Sequence, residues 1–231
     1  MNLLVFNCGS SSLNYKVFSG DTASTAKITA KGKAHRVGVK GSEPSFIEHH
    51  CSNREEKVIQ PFDTHAQAAE SVLQHLRDHR MPIDAVGHRF VHGGAYFKES
   101  TLLTEDTFAR LTDCLQLAPI HNPNSMSVIR TCLEHLPGCP QYVTFDTAFH
   151  AALPPEAYTY AVPQSIRDAH TYRRFGFHGL SYQYVTQAAR PFLKTPFSES
   201  KIIACHLGTG GSSAVAINNG IPLDTSMGFT P

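Results

Sequence analysis

The sequence predicts an α/β protein built from two related lobes, and three observations carry that prediction. Near the start, the apolar run 3–6 breaks into Asn7-Cys8-Gly9-Ser10-Ser11-Ser12 and then resumes with apolar residues alternating at Leu13, Tyr15 and Val17. That pattern reads as strand, tight turn, strand. Late in the chain the design returns, with the apolar run 202–207, the turn Gly208-Thr209-Gly210-Gly211-Ser212-Ser213 and a second apolar run at 214–217. Between the two, helical stripes alternate with short strands, the order expected of a layered α/β sheet.

The elements follow from local signals. Residues 22–60 are polar but strand-like, with 45–50 and 57–60 reading as short strands of a mixed sheet and glycines and Pro44 as punctuation. From Thr64 the period changes. Ala66, Ala69, Val72, Leu73 and Leu76 form a helical stripe, Thr64 and Gln67 fit a capping box, and Pro82 stops the run. The stretch 83–91 reads as a strand ending in His92-Gly93-Gly94. Thr104 opens a second helix with Phe108, Leu111 and Leu115 on one face, closing before Pro119. Asn122-Pro123 starts a third helix through about Leu136, and 142–145 is another strand. The aperiodic, proline-containing stretch 151–163 is the candidate crossing between lobes, which places a first lobe at 1–150 and the beginning of a second at 151–231. A helix near 181–190, a strand at 201–207 and the hairpin signal Asn219-Gly220 follow. With so little chain behind that hairpin, the second lobe reads as truncated.

Bulk properties narrow the function classes. The 231 residues can bury a real core, and 41% hydrophobic with 17% charged residues describes an ordinary globular protein. A formal charge of +1 offers no general attraction to nucleic acid or an anionic membrane surface. No basic-plus-apolar leader and no run of membrane-spanning length is present. The six cysteines (Cys8, Cys51, Cys114, Cys132, Cys139 and Cys205) show no CxxC and no framework spacing, so a reducing, cytoplasmic compartment is expected. Cys8 and Cys205 end apolar strand runs and read as small packed hydrophobes. His49-His50-Cys51 lacks a second ligand pair at defined spacing and does not read as a metal site.

Candidate chemistry gathers just past predicted strands, where open α/β sheets bind ligands. The first turn offers a glycine and three hydroxyls able to converge on an anion. Arg89 lies within an apolar strand, where it needs an ionic partner or a bidentate carboxylate or phosphate. His121 stands at a helix N-terminus, either as an ordinary cap or beside a bound anion. Asp146 directly follows a strand among apolar residues, so a ligand, metal or positive partner is implied. His178 sits between glycines, with aromatics close by.

Taken together these segments resemble the acetate kinase (short-chain carboxylate kinase) family over essentially the whole chain. The motifs Asn-x-Gly-Ser-Ser-Ser, Gly-His-Arg-x-Val-His-Gly-Gly, Ala-Pro-x-His-Asn-Pro, Phe-Asp-Thr-Ala-Phe-His, Gly-Phe-His-Gly, His-Leu-Gly and Asp-Thr-Ser-Met-Gly-Phe-Thr-Pro occur in that order. The resemblance implies the actin-like ATPase (ribonuclease H-like) fold, two duplicated lobes closing on ATP. It implies ATP plus acetate giving ADP plus acetyl phosphate, with Mg²⁺ (or Mn²⁺), in a homodimer when full length. On the same ground Asn7 lies near the metal, and Ser10, Ser12 and Asn14 near the phosphates. Arg89 meets the substrate carboxylate or the phosphoryl group in flight. Val91, Ile120 and Phe177 form the alkyl pocket, His121 and His178 steady phosphoryl oxygens, and Asp146 is the catalytic acidic residue. His206, Leu207, Gly208, Thr209 and Gly210 touch the nucleotide.

The match departs from the family's pattern at four places. Asn14 stands where the family usually has Lys, Thr209 and Gly211 alter the His-Leu-Gly-Asn-Gly-Ala-Ser loop, and Gly179-Leu180-Ser181-Tyr182 replaces Gly-Thr-Ser-His. The family's second catalytic Arg, adenosine segment and metal-binding Glu are expected beyond Pro231, so little activity is expected of these 231 residues alone. Propionate as substrate, pyrophosphate as donor, a sugar hydroxyl deprotonated by Asp146, and a relative that only binds ligand all stay open.

Overall fold

The computed structural model describes every residue except Ala23, Ser52, Asn53, Thr209 and Gly210. The chain divides into two compact units, residues 1–90 with 101–144, and residues 91–100 with 145–231.

The first unit is built on a mixed sheet. Strands β1 (Asn2–Cys8), β2 (Ser12–Ser19), β3 (Lys27–His35), β4 (Phe46–Cys51) and β5 (Arg54–Ile59) form an antiparallel meander. Helix α1 (His65–Asp78) then returns the chain to β6 (Ala85–Phe90), which pairs with β1 in parallel, Phe6 opposite His88. The strand order is β5-β4-β3-β2-β1-β6-β8-β7, with β7 (Thr101–Leu102) antiparallel to β8 (Gln141–Phe145).

The capping box forms as its residue types dictate. Thr64 Oγ1 accepts from the Gln67 amide, and the Gln67 side chain accepts from the Thr64 amide. Of the expected stripe, Ala69, Val72, Leu73 and Leu76 are buried, joined by Ala68 while Ala66 is only half-buried, and they pack against Leu4, Phe6, Leu13, Tyr15 and Val17 of β1 and β2. Val128 and Cys132 of α3 (Asn122–His135) join the same core. The expected second helix is α2 (Glu105–Asp113), capped by the Thr104 hydroxyl.

In the second unit α6 (Gly179–Ala188) packs on a three-stranded antiparallel sheet of β9 (Lys201–Gly208), β10 (Gly211–Asn218) and β11 (Ile221–Thr225). Asn219 and Gly220 take φ of 54° and 81°, the left-handed pair that a two-residue hairpin requires. The stretch 151–163 lies within this unit and carries the short helix α4 (Pro155–Tyr158), and α5 (Gln164–His170) follows it.

One expectation is corrected here. Cys8 is buried, but Cys205 is exposed, alongside Ile203 and Leu207 at 79% and 81% exposure. Successive strand residues face opposite sides, and on β9 it is Ala204 that points into the core. All six cysteines are free thiols. No helix among the described residues is long and apolar enough to cross a membrane.

Candidate active site

The first unit fixes its share of the site around the β1–β2 turn. The Gly9 amide donates to the Ser12 carbonyl at 2.8 Å, and a Cβ on Gly9 would lie 2.8 Å from Ser12 Oγ, a contact that turning the Ser12 hydroxyl away would relieve. His65, the first residue of α1, is buried beneath it and donates from Nε2 to the Gly9 carbonyl at 2.9 Å. Burial pushes its pKa down, which keeps that brace neutral. Sequence reasoning missed His65. Its only signal is its place directly after a capping residue. Ser10 is exposed in the turn, Ser12 is half-buried, and Asn14 pairs in register with Asn7.

Arg89 comes to the same place because β6 runs parallel to β1. Its Nη1 donates to Asn7 Oδ1 at 3.1 Å and to the Cys8 carbonyl at 3.2 Å. The guanidinium is thereby aimed past the end of β1, beside the turn. Cys8 itself stays a thiol, its pKa pushed up to about 12 chiefly by burial. Across β2, Lys33 stands opposite Asn14, which brings a cation to the strand position next to the one where the family's lysine is missing. His121 is the N-terminal flanking residue of α3 and makes no capping bond through its side chain, while Ile120 before it is 67% exposed.

The second unit assembles the histidine-rich share. Asp146 is buried directly after β8, and its carbonyl accepts the Gly179 amide at 2.9 Å, joining the aspartate to the first residue of α6. A Cβ on Gly179 would lie 2.3 Å from that carbonyl oxygen, so only glycine allows the approach. His178 precedes it with φ of 60°, a left-handed conformation uncommon outside glycine. Its ring stacks on His206 with centroids 4.0 Å apart. His178 Nδ1 lies 2.8 Å from Ser213 Oγ, which also contacts the Tyr182 hydroxyl, and His206 Nδ1 lies 3.0 Å from Ser181 Oγ. Leu207 and Gly208 are exposed at the end of β9; Thr209 and Gly210 lie outside the described residues.

Val91 and Phe177 are fully buried in this unit, next to His92. His92 Nδ1 accepts the Gly94 amide, so Nε2 carries the proton and donates to the Phe229 carbonyl at 3.1 Å. Phe175 and Phe177 meet the ring edge-on at 4.6 and 5.2 Å, and burial holds its pKa at about 4. His150 donates from Nε2 to the Phe177 carbonyl at 2.9 Å, and burial likewise lowers its pKa to about 4. Arg174, two residues before the Gly-Phe-His-Gly motif, pairs with Asp224 and donates to the Thr225 carbonyl at 2.7 Å, tying that segment to the Asp-Thr-Ser-Met-Gly-Phe-Thr-Pro motif. His92 and His150 lie inside motifs visible in the sequence and Arg174 beside one, but the Phe229, Phe177 and Asp224 groups they reach are 27 to 137 residues away.

These groups suit an anionic ligand. The first unit offers a held guanidinium beside hydroxyls and backbone amides. The second offers imidazoles wired to hydroxyls, with Asp146 joined to the same helix start through its carbonyl's bond to Gly179.

Comparison with known proteins agrees with the motif order. The model of the acetokinase family matches residues 2–231. The chain is 44% identical over 238 residues to an acetate kinase of Helicobacter hepaticus and 42% identical over 239 residues to one of Caldanaerobacter subterraneus subsp. tengcongensis. All of this chain is covered in both alignments, against 58% of each relative. The crystal structure of acetate kinase from Entamoeba histolytica superposes with a TM-score of 0.86 at 46% identity, covering 100% of this chain and 56% of that one. A propionate kinase from Francisella tularensis superposes at 0.88 and 32% identity, with 100% and 58% covered. The chain therefore spans somewhat under two thirds of the length of these relatives, and its mixed-sheet α/β architecture is the actin-like ATPase fold that they share. On the motifs, the fold and the matched length, this chain belongs to the acetokinase family.

Proposed function

We propose that this chain carries the carboxylate- and phosphoryl-handling part of a short-chain carboxylate kinase, transferring the γ-phosphoryl of ATP to acetate. The observation that supports it most is Arg89, held by Asn7 and Cys8 beside the Gly9–Ser12 turn. An arginine fork so placed suits a carboxylate or a phosphoryl group, and would suit a neutral sugar hydroxyl poorly.

The chemistry accounts for the other residues. A carboxylate is already ionised at pH 7, so its oxygen attacks phosphorus without a strong general base. The new O–P bond forms as the β–γ bridging bond breaks, and ADP leaves with the electron pair. Catalysis is then positioning and charge neutralisation. Arg89 neutralises the acceptor carboxylate or the moving phosphoryl group. His121 and His178 donate N–H bonds to phosphoryl oxygens, Val91, Ile120 and Phe177 enclose the alkyl end, and Asp146 orients rather than deprotonates. Ser10, Ser12, Asn14 and the 206–210 segment hold phosphates and nucleotide. A Mg²⁺ ion bound with the nucleotide would neutralise phosphate charge. Asn7 is exposed, and its carboxamide oxygen, which accepts one bond from Arg89 Nη1, keeps a second lone pair that would suit a hard cation retaining most of its waters. Cytoplasmic location and a homodimer belong to the same proposal.

A propionate reading has one specific support, the likeness to a propionate kinase. One methylene separates the two substrates by only about 1–3 kcal/mol. The experiment is hydroxylamine trapping of acyl phosphate, with acetate and propionate in parallel, together with a titration of acetyl phosphate into the 231-residue chain. ATP-dependent hydroxamate, or saturable acetyl phosphate binding, that Arg89→Ala abolishes supports the proposal; neither signal in a folded chain overturns it. Asp146→Asn with undiminished turnover at high Mg²⁺ would remove the role given to Asp146.

A further inference from the structure

We propose a divalent transition-metal site of the Zn²⁺ class on the edge of the first unit, formed by Glu56, His75 and His79. Three separate pieces of geometry bring these residues together. His49 of β4 faces Glu56 of β5 in register, so both project from the same side of the sheet. That side is the one α1 covers. His75 of α1 and His79 at its C-terminal cap are four residues apart, and so share a helix face. His75 Nδ1 lies 3.6 Å from Glu56 Oε2, and one donor atom from each of Glu56, His75 and His79 lies within 4.8 Å of the others.

Ligand orientation is already set. His79 Nδ1 donates to the His75 carbonyl at 2.9 Å, which leaves the lone pair on Nε2 and fixes the tautomer as metal-bound histidines require. The His75 ring is clamped between His49, with centroids 3.7 Å apart and planes 5° apart, and His79 at 4.2 Å. Its side chain is only 10% exposed, and Nε2 has no hydrogen-bond partner although it is buried. The nitrogen turned to Glu56 is Nδ1, so the stacked rings present that atom to the shared position while Nε2 stays enclosed on the other side. His49 in turn is held by the Tyr15 hydroxyl at 2.8 Å, so the clamp is anchored in the core of the unit.

The donor set defines the ion. Two imidazoles and one carboxylate suit Zn²⁺, Cu²⁺ or Ni²⁺ and are too nitrogen-rich for Mg²⁺ or Ca²⁺. Metal–ligand bonds of roughly 2.0–2.2 Å place tetrahedral donors about 3.3–3.6 Å apart. The present spacing needs a contraction of about 1 Å, and Glu56 and His79 are both exposed and able to supply it by rotamer change. An open groove of about 690 Å³, bordered by His49, Glu56 and His75, gives the ion its way in and leaves room for water at the fourth position. Because β5 is an edge strand, the ion would pin that edge to α1.

The test uses the 231-residue chain, free of affinity tags and metal, titrated with Zn²⁺ by calorimetry and by thermal denaturation. One equivalent should bind and raise the melting temperature. Glu56→Gln and His79→Ala alter exposed side chains, so both should fold as the parent does by circular dichroism, yet bind Zn²⁺ at least tenfold more weakly and lose the thermal shift. His50→Ala, on the opposite side of β4 beside Glu55, should bind like the parent. The proposal is overturned if the parent shows no stoichiometric binding, if Glu56→Gln and His79→Ala retain parental affinity, or if His50→Ala loses as much as they do.

Discussion

Tyr182 and His178 meet on one oxygen: Ser213 Oγ lies 2.8 Å from His178 Nδ1 and also contacts the Tyr182 hydroxyl. Tyr182 is one of two residues, with Leu180, at which the Gly179–Tyr182 segment departs from its family's pattern, and here it is wired to a histidine of the proposed site. Burial raises the Tyr182 pKa, so the hydroxyl stays a neutral donor. Tyr182→Phe should therefore lower stability by about 0.5–1.5 kcal/mol, the net worth of one hydrogen bond. Ser213→Ala should cost more, about 1–3 kcal/mol, because it takes a partner from two groups at once. Urea titrations of the two variants give the comparison, and equal losses would mean that the shared oxygen couples nothing.

Gly179 makes a sharper test of how the second unit positions Asp146. A methyl group there would meet the Asp146 carbonyl at 2.3 Å and Phe149 Cβ at 2.8 Å. Alanine is ordinarily the better helix former by about 1 kcal/mol. At this position the sign should reverse, with Gly179→Ala destabilising by more than about 2 kcal/mol through displacement of backbone rather than of a flexible side chain. A denaturation midpoint at or above the parent's would show that the contact relaxes freely.

For Arg89, charge alone is not the property that matters. Arg89→Lys keeps a cation but cannot make the two directed bonds to Asn7 Oδ1 and the Cys8 carbonyl while also presenting a fork to a ligand. Acetyl phosphate affinity should fall by at least ~30-fold in Arg89→Ala and stay below the parent in Arg89→Lys. Titration followed by NMR would measure both, and full recovery with lysine would reduce the role of Arg89 to a point charge.

Acid should unfold both units. His49 and His88 in the first unit, and His92 and His150 in the second, have pKa values pushed down to about 4, mainly by burial. Unfolded, each returns to about 6.5 and takes up a proton that the native state refuses. The stability they contribute is whole above pH ~6.5 and drains away as the pH falls towards 4. Each histidine adds a slope of about 1.4 kcal/mol per pH unit near pH 5. His88 is the best single probe: it donates to Gln141 Oε1 at 2.8 Å and is wholly enclosed. Chemical denaturation at pH 7 and pH 5 should show the loss, and His88→Gln should flatten it by about one histidine's share.

The sequence by itself determined the elements and their order. The period of 3.6 from Ala66 to Leu76 with its Thr64 cap, the alternation at Leu13, Tyr15 and Val17, and the Asn219-Gly220 turn are each written within a few residues. The structure realises each of them as α1, β2 and the β10–β11 hairpin. The ordered motifs likewise named Arg89, Asp146 and His178 as residues to examine. What only the tertiary structure decided is partnership. Arg174 finds Asp224 at a distance of 50 residues, His178 finds Ser213 at 35, and His65 reaches back 56 residues to Gly9. Cys205 read as a packed thiol because its apolar run is continuous, and the register of β9 on β10 turned it outward. His49-His50-Cys51 showed no second ligand pair along the chain, and it is α1, folded over the sheet, that lays His75 on the face of His49. The physical reason is common to all of these. Backbone periodicity and capping are set by neighbours along the chain, whereas a buried polar group takes whatever partner strand register and helix packing deliver to it.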